Sequence, residues 1–464
     1  MRERWVVVTT LALLQAVTIT TGVYAVRTDF SLAALSDQGP RPVEPNAAPA
    51  VPVVTAGPVL ASGGDGPLPT KGTLTQQLTD ALGDKALGSS VGAVVLDAVT
   101  GERIFAANAD AGITPASTTK IVTCTAALAS LGPDTRLSTR VVQGANRSSI
   151  VLVGGGDPLL AGPSAKPGSY PKQASLAALA SRTAAKLKAE GVTKVTLGYD
   201  ASLFTGSPNG PGWKPSYIPD GNVAPVYALA IDEGRANPAA SQPRVANPPQ
   251  YAAAAFAKLL ARYGIAVAKT VRPAKAQQNA PELGKVDSAP VYALVEHTLT
   301  HSDNDLAEAL ARHVAIKEGQ PASFEGGGKA VVSVLKRLDA ARGVLVYDGS
   351  GLSPRNRISA DALARAVTIA SSPRHPELHA VASGMPIAGF SGTLGNGRRF
   401  TSSDTKREVG LVRAKTGTLN NVNTLAGMAT TRSGRLVTFA FLADKVPLSA
   451  EPVLDRLAAI VARS

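Results

Sequence analysis

Three short segments, Ser117-Thr118-Thr119-Lys120, Ser302-Asp303-Asn304 and Lys415-Thr416-Gly417-Thr418, stand in one order along a chain of 464 residues. The second serine lies 185 positions after the first. Together the segments hold a hydroxyl nucleophile, two amines and several hydrogen-bond donors, so a fold that uses them as one site must bring three distant stretches together. Pro115 and the 116–128 run predict a helix start, with Ser117 in the first turn and Lys120 three residues on along the same face. The two side chains can touch.

A serine hydroxyl is a poor nucleophile until a neighbouring base takes its proton, and a lysine can serve once burial or nearby positive charge lowers its pKa. Lys415 is a source of that charge. The helix N-terminus beside Ser117 favours negative charge developing there in a transition state. Ser302 is a candidate proton relay to a leaving amine and Asn304 a partner for a substrate amide. Lys415, Thr416 and Thr418 are candidates for holding a substrate carboxylate. Each segment also has a plain structural reading, since Ser or Asp ahead of the apolar positions Leu306, Leu310 and Val314 is an ordinary helix cap. The lysine segment is followed by 425–431, a Ser433-Gly434 turn and 436–442, which reads as strand, turn and strand. A matching pair, 91–96 and 103–106 about Thr100-Gly101, stands upstream of Ser117. The serine helix is thus expected to follow one hairpin, and the lysine segment to border another.

With these motifs the chain resembles the class C low-molecular-mass penicillin-binding proteins, which are D-alanyl-D-alanine carboxypeptidases and endopeptidases. Leu152-Val153-Gly154-Gly155-Gly156-Asp157-Pro158, Asp348-Gly349-Ser350-Gly351-Leu352-Ser353, Met385-Pro386-Ile387-Ala388-Gly389, Gly392-Thr393-Leu394 and 412–420 look like further segments of that family. The resemblance runs from about residue 73 to the C-terminus. It implies an α+β, transpeptidase-like (β-lactamase-like) fold, an antiparallel sheet flanked by helices, built from 73–138 and 296–464. Residues 139–295 would be a large inserted mixed α/β region, with a helix over 174–189 and a strand over 194–199.

The resemblance also implies the chemistry: Ser117 attacks the penultimate D-Ala carbonyl, and Lys120, Ser302, Asn304 and Lys415 complete the catalytic set. Thr416, Gly417 and Thr418 contact substrate, and the backbone N–H groups of Ser117 and Thr418 form an oxyanion hole. Asp157 and Arg355 fall where some members contact a diaminopimelate side chain, although Pro354 separates Arg355 from its segment and Asp157 equally reads as a turn residue before proline. Peptidoglycan stems would be the substrate and β-lactams covalent inhibitors. No Glu-x-x-Leu-Asn segment stands between Ser302 and Lys415, so slow deacylation of penicillins is expected. A β-lactamase and a non-catalytic wall-binding or penicillin-sensing module are the alternatives. Carboxypeptidase and endopeptidase activity are not separated by the sequence, nor is a diaminopimelate stem from a lysine one.

Arg2 and Arg4 precede 5–26, 22 residues without a charge, long enough to cross a bilayer at ~1.5 Å per residue. The basic leading end places the following bulk outside the cytoplasmic membrane. Val23-Tyr24-Ala25 offers a cleavage site, so a signal anchor (1–30) competes with a removable signal peptide. A Pro-, Ala- and Gly-rich linker follows over 31–72. The net charge of +13 suits anionic wall polymers, and the lack of basic runs interleaved with aromatics argues against nucleic acid.

Cys124, the sole cysteine, is expected as a small core residue. His375 and His379 have i,i+4 spacing but are flanked by Pro373 and Pro376 and lack a third ligand. Gly326-Gly327-Gly328-Lys329-Ala330 lacks the Ser or Thr of a phosphate loop. No metal or organic cofactor is expected.

Overall fold

The structure, a computed structural model, describes residues 66–464 apart from Ser164 and Asn396. The expected anchor and most of the linker lie outside the described residues.

The first strand, Ser90–Asp97, follows helix Lys71–Leu82 and sends its side chains alternately to two apolar faces. It pairs antiparallel with Arg103–Ala107 on one side and with Leu436–Asp444, near the other end of the chain, on the other. Strands Val422–Thr430 and Val412–Leu419 complete an antiparallel five-stranded sheet with Val412–Leu419 at its edge. Both faces are buried, and the period of two sorts them. Val95, Leu425, Phe439 and Phe441 pack with Leu74 and Leu78 of helix Lys71–Leu82 and with Leu454 and Leu457 of helix Glu451–Arg463. Val94, Leu96, Ala426, Met428, Ala440 and Leu442 face a helical cluster around Thr119–Leu131. That cluster includes Val291–His301, Asn304–Lys317, Phe324–Arg337 and Ala360–Ser371. Cys124 is buried there, as expected.

Between Thr119–Leu131 and Val291–His301 the chain builds a second, mixed sheet. Strand Ser138–Gln143 lies antiparallel to Ser149–Val153 and Glu282–Asp287, while Ser149–Val153 runs parallel to Lys194–Asp200. Helices Leu176–Ala189 and Pro248–Arg262 cover it, capped by Ser175 accepting from the Ala178 N–H and by Asn247 accepting from the Gln250 N–H. Its core, with Val141, Ile150, Leu152, Leu187, Leu197 and Phe256, is separate from the first two. The helix and strand read from 174–189 and 194–199 are present at Leu176–Ala189 and Lys194–Asp200.

Candidate active site

Three elements deliver the three motifs to one place. Ser117 sits in a 3-10 turn, Ala116–Thr118, that runs into helix Thr119–Leu131. Ala116 has a φ of 49°, an uncommon conformation for a non-glycine residue. The turn is held by hydroxyls: Thr118 donates to the Pro115 carbonyl at 2.6 Å and Thr119 to the Ala116 carbonyl at 2.8 Å. Thr424, from the adjoining strand, donates to the same Pro115 carbonyl at 2.8 Å.

Two glycines allow this packing by having no side chain. A Cβ on Gly417 would stand 2.7 Å from the Pro115 oxygen and 3.1 Å from the Ser117 nitrogen. One on Gly351 would stand 2.6 Å from the Ala116 carbonyl carbon. The edge strand and the Ser350-Gly351 loop therefore close on the serine turn from two sides.

Lys120 Nζ is the hub. It lies 3.0 Å from Ser117 Oγ, 2.6 Å from Asn304 Oδ1 and 2.7 Å from the Ser350 carbonyl oxygen, and its side chain is fully buried. Burial lowers its pKa to about 8, against the opposing charges of Asp348, Asp303 and Glu308. Ser302 closes helix Val291–His301 in the left-handed conformation, φ 58°. Asp303 then caps helix Asn304–Lys317 by accepting from the Leu306 N–H at 2.9 Å. That sharp junction, with helix on both sides, presents Ser302 and Asn304 to the same spot.

Lys415 lies within strand Val412–Leu419, which borders the expected hairpin of Val422–Thr430 and Leu436–Asp444 and pairs with its first strand. The polar run 415–418 hides a strand in which only Val412, Ala414 and Leu419 are apolar. Lys415 Nζ donates to Ser302 Oγ at 2.9 Å and to the Thr416 carbonyl at 2.8 Å. Burial first, and the charge of Lys120 second, hold its pKa well below the ordinary lysine value. For Lys120 itself the first cause is burial, and the Lys120 charge bears on Lys415 in turn. Thr416 Oγ1 donates to Thr393 Oγ1 at 2.8 Å, and Thr418 Oγ1 to Glu451 at 3.2 Å.

Several contributors carry no motif. Glu308 accepts from the Gly349 and Ser350 N–H groups at 3.1 and 2.8 Å, and Asp348 accepts from Gly351, Ser353, Asn356 and the Trp213 indole. These bonds aim the Ser350 carbonyl at Lys120. The only signal in the sequence was the segment from Asp348 to Ser353.

Asp157 and Arg355 stand apart from the lysine cluster. Asp157 is buried, accepts from the Leu159 N–H at 3.0 Å as a turn residue, and is raised to about 7 by burial. Arg355 lies beside Gly212, and its backbone N–H reaches Ser353 Oγ at 3.4 Å. Neither makes a hydrogen bond or ion pair with Ser117, Lys120, Ser302, Asn304 or Lys415 among the described residues.

One group, Glu233, His297 and Asp303, places three ligand atoms within 4.8 Å of one another. The Glu233 carboxylate already pairs with Arg235, and Arg244 approaches it at 3.8 Å, so this donor set is compensated by guanidinium. His375 and His379 instead contact Glu377 and the Ser372 carbonyl.

With this geometry in place, comparison with known proteins decides the family. The D-Ala-D-Ala carboxypeptidase 3 (S13) family model matches residues 74–243 and 235–463. The chain belongs to this family. S13 relatives include Carboxypeptidase Rv3627c of Mycobacterium tuberculosis, 37% identical over 88% of each chain, and Carboxypeptidase DacB of Mycolicibacterium smegmatis, 34% identical over 89% of each. Penicillin binding protein 4 (dacB) of Haemophilus influenzae superposes with a TM-score of 0.68 at 23% identity, covering 86% of this chain and all of that one. A second structure of that protein, complexed with a β-lactam, matches with a TM-score of 0.62 at 25% identity, over 85% of this chain and 99% of that one. The S13 chain thus has the α+β penicillin-binding fold that its motifs implied.

Proposed function

We propose that this S13 protein is a serine-type D-Ala-D-Ala carboxypeptidase that trims peptidoglycan stems through an acyl-enzyme on Ser117, with Lys120 as its base. The arrangement about Lys120 Nζ carries the reading. Two of its three neighbours, Asn304 Oδ1 and the Ser350 carbonyl, only accept hydrogen bonds. A neutral amine has two N–H groups, so both are committed there and the lone pair is left facing Ser117 Oγ at 3.0 Å. The pKa of about 8 keeps that neutral form accessible near physiological pH.

In the proposed sequence Ser117 Oγ attacks the penultimate D-Ala carbonyl while its proton passes to Lys120. The Ser117 and Thr418 N–H groups receive the oxyanion. The proton then reaches the departing D-Ala amine through Ser302, and water later cleaves the ester. Asn304, Thr416, Gly417, Thr418 and Lys415 hold the amide and the terminal carboxylate, and Asp157 and Arg355 contribute to stem recognition. Residues 73–138 and 296–464 are the catalytic domain and 139–295 an inserted domain. Export through 5–26, with the domain anchored outside the cytoplasmic membrane or released to the wall, completes the proposal; no helix among the described residues is long and apolar enough to cross a membrane.

Intact mass of the protein before and after a penicillin, with Ser117→Ala as control, tests it. A persistent adduct on the parent alone, together with D-Ala release from a pentapeptide, is the expected result. Drug turnover without an adduct would indicate a β-lactamase, and no reaction a silent binding module.

A further inference from the structure

The orientation of the Asn304 amide matters to Lys120, because only its oxygen end offers an acceptor to the amine. That choice is made from the inserted region. Asn304 Nδ2 donates to the Asn222 carbonyl oxygen at 2.8 Å. Were the amide turned over, its NH₂ would meet the Lys120 amine and its oxygen would meet the Asn222 carbonyl, so both contacts would be lost. The Asn222 carbonyl is placed in turn by a buried guanidinium that holds its neighbour Gly221. Arg244, 4% exposed, donates from Nη2 and Nε to the Gly221 carbonyl at 2.9 and 3.2 Å. Its Nη1 bonds the Glu233 carbonyl and lies 3.2 Å from Asp305 Oδ2, in the first turn of the Asn304–Lys317 helix. Asp305 Oδ1 accepts from the Ala224 N–H at 2.7 Å, pinning the far side of the same loop.

We infer that Arg244 is a positioning residue: it clamps the 221–224 loop of the insert to the Ser302-Asp303-Asn304 junction, so that the insert sets the hydrogen-bonding direction of Asn304 and thereby of Lys120. The inference rests on the reading of Ser117 and Lys120 as nucleophile and base. The insert then contributes to catalysis as well as to shape. Burial pushes the Asp305 carboxyl up, opposed first by Arg244, so the pair is mutually dependent. Arg244 touches neither Ser117 nor Lys120 and leaves the carboxylate-binding strand alone, so its loss is expected to slow the acylation step without weakening reversible binding of a β-lactam.

The test uses the full chain with a fluorescent penicillin, resolving the acylation rate constant from the reversible dissociation constant, for the parent, Arg244→Ala, Arg244→Lys and Asp305→Asn. Arg244→Ala is expected to lower the acylation constant by about 10- to 100-fold, as small misplacements at a reacting centre do, with dissociation constant unchanged. Arg244→Lys, which keeps charge but not the fork, should recover part of the loss. A folded Arg244→Ala that acylates at the parental rate, or one whose loss lies wholly in the dissociation constant, overturns the inference. Should Arg244→Ala not fold, Asp305→Asn decides by the same split: a slowed acylation constant supports the clamp and a parental one overturns it. A parent that is never acylated on Ser117 would instead overturn the underlying reading.

Discussion

Lys415 Nζ donates a 2.9 Å hydrogen bond to Ser302 Oγ, joining residues 113 positions apart. Both the burial of Lys415 and the nearby Lys120 charge disfavour its ammonium form. An incoming carboxylate reverses that balance, because an opposite charge at contact favours the charged amine. Binding of a penicillin to Ser117→Ala, which stops before acylation, is therefore expected to be accompanied by net proton uptake. Calorimetry in buffers of different ionisation heat measures this directly. Binding without proton uptake would mean that the carboxylate goes elsewhere.

Lys120 predicts the pH dependence. Its neutral form is the proposed base, so acylation is expected to rise with pH through about 8 and then level. Glu308 is one of the charges that keep this value from falling further. Glu308→Gln removes that charge, so the midpoint is expected to move to lower pH. The same change leaves Arg312, 1% exposed and stacked 4.0 Å from the Phe324 ring centre, without its partner. A stability loss of about 3 kcal/mol in urea unfolding should accompany it. An unmoved midpoint would show that Glu308 is not ionised when Lys120 titrates.

The residues legible in the sequence were those whose chemistry is local. Ser117 and Lys120 are one turn apart, and the helix cap at Asp303 fixes Asn304 by the same short-range rules. Glu308 and Arg244 act from far along the chain through bonds to backbone atoms, and Trp213 through the Asp348 carboxylate, which leave no spacing pattern to read. The helix expected from Pro115 onward starts instead with a 3-10 turn, because Gly351 and Gly417 bring two neighbouring segments against it. Burial was equally invisible: Lys415 looks like a free cation in sequence and is a fully covered amine in the fold.

Gly417 gives a prediction that depends on space rather than charge. An alanine methyl there would press on the Pro115 oxygen and the Ser117 nitrogen, both backbone atoms that a rotamer change cannot move aside. The strand must shift, and with it the Thr418 N–H proposed for the oxyanion. Gly417→Ala is expected to cut acylation by about 10²-fold, the scale of losing one such donor, while unfolding falls by only ~1–3 kcal/mol. A fully active Gly417→Ala would remove Thr418 from the oxyanion site.

Asp157 links stability to pH in the direction opposite to a salt-bridged carboxylate. Burial raises it from its ordinary 3.8 to about 7 in the fold. Between those values the folded chain keeps a proton that the unfolded chain has released, so this residue's contribution to stability declines as pH rises through the window. Asp157→Asn retains an oxygen to accept from the Leu159 N–H and has nothing to ionise. The variant should match the parent below the window and exceed it in melting temperature above it. Its β-lactam acylation should stay parental, while the KM for a diaminopimelate-containing peptide rises if the residue meets the stem. A variant less stable than the parent at alkaline pH would instead show that the fold holds Asp157 ionised against a partner.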